Sequence, residues 1–187
     1  MHRRGLTLPA QNLEHFNAAS ADEAHRTLLS CLHSARWARR VADHRPYPDL
    51  GALLAAADEA AYDLGPEDLA EALAGESLPA LPEHLYSAAH LALSAAHAAY
   101  ESRFGHLFVI CLDGVPADEA LDRLLAAVRS RLANDPEEER VATAEELRRL
   151  ARERLVRAAL GESGPRARTS PARPRQARRT ARPGSRL

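Results

Sequence analysis

Phe104-Gly105-His106-Leu107-Phe108-Val109-Ile110-Cys111-Leu112 is the most apolar stretch of the chain. It is the one candidate for a β-strand, because periodicity alone does not separate a buried strand from a buried turn or helix. A lone strand has nothing to pair with, and its backbone groups would be buried without partners. The stretch therefore reads as irregular or helical backbone, and the fold as all-α.

The segments around it carry helix signals. Upstream, Ser87 caps a helix to about Arg103, after a loop over 76–86 that holds Pro79 and Pro82. Gly65-Pro66-Glu67-Asp68 places proline at the first helical position and acids in the first turn of a helix to Ala74, stopped at Gly75. Asp49 caps an alanine-rich helix to Tyr62, and Arg45-Pro46-Tyr47-Pro48 before it is extended. Ser34 caps a short helix through Trp37 and Val41, and Ser20-Ala21-Asp22-Glu23 is a capping box opening a helix to about Ser34. Downstream, Val115-Pro116-Ala117-Asp118-Glu119 opens a helix to about Leu132. Asn134-Asp135-Pro136-Glu137-Glu138 starts a long one to Leu160, ended by Gly161. The expected architecture is one all-α domain of about seven or eight helices over residues 10–161, with a flexible N-terminus over 1–9.

The composition agrees. Of 187 residues, 45% are apolar and 4% aromatic, and 39 are alanine, so the core is built from closely packed Ala and Leu. There is no lysine; all 25 cations are arginine. Residues 161–187 carry eight of them against Glu162 alone, a charge of +7, while residues 1–160 carry −8. The general surface of such a body repels nucleic acid. Residues 162–187, with four prolines among arginines, read as a disordered basic tail: a solubilising extension, or a contact for an anionic polymer. No window of about 18 residues is apolar and uncharged enough to span a membrane. Met1-His2-Arg3-Arg4-Gly5-Leu6 is basic but no apolar run follows, so the expectation is a cytoplasmic protein.

Few chemical motifs are present. GxGxxG, GxxxxGK[ST], GxSxG and HExxH are all absent. Cys31 and Cys111 make neither a disulfide framework nor a zinc cluster, and read as reduced, small apolar residues. Of nine histidines, His84, His90, His97 and His106 lie in the loop–helix–apolar region. His90 and His97 share a helical face but stand about 10.5 Å apart along it, too far to ligate one ion, so no metal is expected.

One arginine is out of place. The apolar stripe of the last helix runs through Leu147, Leu150, Ala151, Leu155 and Ala158, and Arg154 projects from it, whereas Arg148, Arg149, Arg152 and Arg157 lie off it or at its edge. A buried arginine needs an anionic partner: an internal Asp or Glu, or a substrate carboxylate gripped by its planar fork.

Several segments in order resemble a known family. They are Phe16-Asn17, Cys31-x-x-Ser34-x-x-Trp37-Ala38, Arg45-Pro46-Tyr47, Ala99-Tyr100-Glu101-x-Arg103-Phe104-Gly105-His106-x-Phe108-x-Ile110-Cys111, Arg131-Leu132-x-Asn134-Asp135-Pro136-Glu137, Glu145-Glu146-Leu147-Arg148-Arg149-Leu150 and Arg154-Leu155. Over about residues 10–160 they are similar to 2-oxo-4-hydroxy-4-carboxy-5-ureidoimidazoline (OHCU) decarboxylases. The resemblance implies an all-helical, cofactor-free, homodimeric enzyme of urate breakdown that converts OHCU to (S)-allantoin with loss of CO2. It also implies substrate contacts from Phe104, Gly105, His106, Leu107 and Phe108, a site serine at Ser87, and Arg154 as the family's last-helix arginine.

The chain departs from the family in the other half of the pocket. Where the family has His-Pro-x-Ile-Gly, with the histidine as the proposed acid, this chain has Glu76-Ser77-Leu78-Pro79. Where the family follows its serine with Glu-Gln, this chain has His90-Leu91, and the helix from Ser87 is about three turns shorter than usual. Two readings follow. In one, the chain is a decarboxylase of this ureidoimidazoline with a relocated acid at His90, or else at His84 or His106. In the other, it is a non-catalytic relative that keeps the fold as a binding module.

Overall fold

A computed structural model of the chain describes residues 8–78 and 86–161, and side chains within them from Gln11 and, after the gap, from Leu91. Among these residues there are eight α-helices and no strand. They are α1 (Leu8–Ala18), α2 (Ala21–Cys31), α3 (Ala35–Asp43), α4 (Leu50–Tyr62), α5 (Pro66–Ala74), α6 (Tyr86–Phe104), α7 (Ala120–Arg131) and α8 (Pro136–Leu160). The stretch 105–112 is irregular backbone, neither helix nor strand, with Gly105 in the left-handed region at φ 75°.

The caps follow the local chemistry. Ser20, Ser34 and Asp49 each accept a hydrogen bond from a first-turn amide of α2, α3 and α4. Asp135 accepts from the amides of Glu137 and Glu138, the Glu138 carboxylate accepts from the Asp135 amide, and Pro136 opens α8. Gly161 closes it in the left-handed region at φ 75°, where a side chain would be strained.

Two expectations shift. The first helix begins at Leu8, inside the segment expected to be flexible, and no sequence signal before Ser20 marked it. Among its described side chains only Leu13 is buried, and Asn12 docks the helix by donating to the Ala159 carbonyl on α8 (2.8 Å). α7 starts at Ala120, after a turn over 117–119 in place of a helical first turn at Val115.

Two apolar clusters form the interior. The larger gathers Leu28, Leu32, Trp37, Val41, Leu53, Ala57, Leu69, Leu147, Ala151 and Leu155 from α2 to α5 and the C-terminal half of α8. Trp37 is fully buried and its indole N–H donates to the Ala57 carbonyl (2.9 Å). The smaller holds Tyr100, Phe108, Ile110, Leu124 and Val128 between α6, α7 and the 105–112 segment. With 25 residues, α8 is about 37 Å long and reaches both clusters. Several of the shared motif residues are scaffold: Asn17 and Tyr47 exchange hydrogen bonds (2.8 and 2.9 Å), and Arg45 donates to the Phe16 and Ala19 carbonyls at the end of α1.

Candidate active site

Arg154 leaves the stripe of α8 beside the buried Ala151 and Leu155 and is itself half-buried. Its Nη1 and Nη2 donate to the two carboxylate oxygens of Glu76, each at 2.7 Å, in a bidentate fork. Nη1 also donates to the Cys31 carbonyl at the end of α2 (3.0 Å). The Glu76 side chain is only 4% exposed and that of Arg154 32%. The Glu76 carboxylate raises the Arg154 guanidinium above its ordinary range, so the arginine stays charged. The anionic partner expected for Arg154 is therefore present, and it is Glu76, the residue standing where the family has histidine.

The pair borders a cavity of about 380 Å³. Val109 and Ile110 of the apolar stretch close one side, and Leu150, Glu153 and Arg157 of α8 another. A buried network holds that stretch in place. Arg131 donates from Nη1 to the Val109 carbonyl (2.6 Å) and from Nε and Nη2 to one Glu139 oxygen (2.8 and 2.5 Å). Tyr100 donates its hydroxyl to the same carboxylate, Asn134 donates to its other oxygen (2.9 Å), and the Arg131 guanidinium lies 4.6 Å from the Phe108 ring centre. Burial pushes the Glu139 carboxyl up, but hydrogen bonds from Arg131 and Tyr100 outweigh it and hold it below its ordinary value. Two residues on, the Cys111 amide donates to Glu146 (2.7 Å).

The other expected site residues do not converge on Arg154. Phe104, Gly105, His106 and Leu107 line a separate cavity of about 610 Å³, with Leu69 and Leu73 of α5 and Arg140 of α8. The Phe108 side chain is fully buried in the smaller cluster, against Tyr100. The His106 ring faces the larger cavity, with Nδ1 3.0 Å from the Leu107 carbonyl. His84 lies outside the described residues, and so do the side chains of Ser87 and His90. Of the apolar stretch, only Val109, Ile110 and Leu112 line the cavity of Arg154.

The sequence reading gave no role to Glu139, or to Arg131 beyond its place in a shared motif. The signal was available: continuing the stripe Leu155, Ala151, Leu147 toward the N-terminus in steps of four reaches Thr143 and Glu139, which puts a carboxylate on a buried face. Neither cysteine suits nucleophilic work. Burial raises the Cys31 thiol to about 11 and also raises Cys111, so both remain protonated at neutral pH. Buried His97 stacks near Phe108 with ring centres 6.0 Å apart, and its Nε2 has no hydrogen-bond partner. Burial lowers its pKa and keeps it neutral. No group of three or more His, Cys, Asp or Glu among the described residues could hold a metal ion.

Fold and site together define a protein that is all-helical among its described residues, with an arginine–carboxylate clamp lining a cavity at the edge of the larger core. The OHCU decarboxylase family model matches residues 17–81 and 80–156, and the chain belongs to that family of carboxy-lyases. A crystal structure of (S)-allantoin synthase is similar to it, with a TM-score of 0.63 and 18% identity over 78% of this chain. That match covers 53% of the synthase chain, so this chain spans about half the length of its structural neighbour. No curated protein matches it significantly.

Proposed function

We propose that the chain is a cofactor-free decarboxylase acting on a small ureidoimidazoline carboxylate, namely OHCU, to yield (S)-allantoin. One observation carries the reading: in a member of this family, the last-helix arginine grips a carboxylate, that of Glu76, with both terminal nitrogens beside a cavity that Val109, Ile110 and Leu112 of the apolar stretch also line. Arg154 is a positioning cation. It orients the substrate carboxylate so that the bond to the ring carbon can break, with CO2 leaving and the electron pair remaining on the ring. A proton then adds to one face of that carbon. His90 is the proposed donor, from a helix next to the apolar stretch, since imidazole is the side chain suited to proton transfer near neutral pH.

The test is to supply freshly generated OHCU and follow the circular dichroism of the allantoin formed. Spontaneous decay gives a racemate, so a single-handed product at a rate above background is expected. Arg154→Lys keeps the charge but loses the fork, and should weaken substrate binding by about 1–3 kcal/mol. His90→Gln should slow stereospecific turnover by about 10²–10⁴. Parent-like turnover by either variant removes that residue from its role.

A second reading rests on Glu76. Its carboxylate already satisfies both terminal nitrogens of Arg154. In that reading the chain is a non-catalytic relative, and its signature is racemic allantoin at the spontaneous rate.

A further inference from the structure

We infer that Glu76 is an internal competitor for the Arg154 clamp, so that the site admits only ligands whose own carboxylate displaces it. This rests on the reading of Arg154 as the carboxylate-binding residue.

The clamp is built without Glu76. Arg154 is held from one side by the Cys31 carbonyl at 3.0 Å, and its aliphatic stem leaves α8 between buried residues. Glu76 lies past the end of α5, and 76–78 have no regular structure. Its backbone is nevertheless pinned. A Cβ placed on Gly75 would come within 2.3 Å of the His33 Cβ, so the chain before Glu76 presses on the turn between α2 and α3, next to Cys31. With the backbone pinned, opening the clamp falls to the Glu76 side chain, which is 4% exposed and lines the same cavity as Arg154, so a ligand in that cavity meets both partners of the pair.

Exchange of one carboxylate for another at a single fork replaces like with like: two charged hydrogen bonds are broken and two are made. The ligand must still overcome the high effective concentration of a carboxylate on the same chain. If the clamp is open about 1–10% of the time, the apparent affinity for an external carboxylate is reduced about 10- to 100-fold. A ligand without a carboxylate gains nothing at the fork and leaves Glu76 in place. Glu76 is thus an affinity- and specificity-determining residue.

Orotate and uracil are suitable probes, a cyclic ureide with and without a carboxylate. Calorimetric titration of the full chain should show weak orotate binding to the parent. Glu76→Gln and Glu76→Ala should bind orotate about 10- to 100-fold more tightly, with uracil binding unchanged and the gain abolished when Arg154→Lys is added. Equal affinity for orotate in the parent and both folded variants would overturn the inference, as would an equal gain for uracil. If the variants are too unstable to titrate, acetate supplies the answer: it should raise the melting temperature of Glu76→Ala well beyond an equal concentration of chloride, with no such excess in the parent. Acetate no better than chloride also overturns the inference. These outcomes are independent of turnover. A parent that binds as expected but leaves OHCU to decay spontaneously removes the catalytic reading and retains the competitor.

Discussion

Glu139 is the residue whose environment most constrains its chemistry. Its side chain is 1% exposed, yet it is charged, because Arg131, Tyr100 and Asn134 all donate to it. Glu139→Ala leaves the Arg131 guanidinium buried with only the Val109 carbonyl and two hydroxyls, and should cost about 3–5 kcal/mol, the range for breaking a buried pair. Glu139→Gln keeps the volume but not the charge, which allows a test by pH. The folded-state pKa lies below the ordinary 4.5, so the unfolded chain binds the proton more readily. The stabilisation is present above that value and is lost as pH falls through the lower folded pKa. Urea midpoints should therefore separate parent from Glu139→Gln at pH 6 and converge progressively below pH 4.5. A gap that stays constant to pH 3 would show that the charge contributes nothing.

At the scale of elements, Gly75 sets propensity against packing. Its φ of −87° suits any residue, and on helix propensity alone Gly75→Ala at the end of α5 is favourable. Contact with the His33 Cβ, which no rotamer change can relieve, predicts the opposite sign: a loss of about 1–3 kcal/mol by overpacking. Thermal unfolding of Gly75→Ala decides between them, and adding His33→Gly should recover much of the loss. The same contrast explains what was readable in the helices. Ser34, Asp49 and Asp135 were legible as caps because each acts on an amide two or three residues away. The helix α1 was not, because its docking depends on Ala159, 147 positions from Asn12.

For the whole molecule, the asymmetry between a body of −8 and a basic segment from residue 161 onward is the dominant electrostatic feature. The body already pairs many of its arginines across helices: Arg148 and Arg152 of α8 both reach Asp58 of α4 (2.6 and 2.7 Å), and Arg36 of α3 reaches Asp68 of α5 (3.1 Å). A chain ending at Gly161 should keep its helical signal and melt within about two degrees of the parent, because the removed residues have few apolar groups to bury. It should also lose any salt-sensitive affinity for nucleic acid that the full chain possesses. A larger fall in melting temperature would show that the basic segment docks on the acidic body.

By itself the sequence determined the all-α class, the positions of most helix ends and the anomaly of Arg154 on an apolar stripe. All of these arise from interactions within a few residues or from the period of one helix. Only the tertiary structure decided what Arg154 holds. Glu76 is 78 positions away, and no spacing rule connects the end of α5 to the C-terminal half of α8. Tertiary packing also divided one continuous motif between two cavities, sending Phe104 to Leu107 to one side and Val109 with Ile110 to the other. The segment has no regular period, so which of its residues meets which cavity depends on the helices that enclose it.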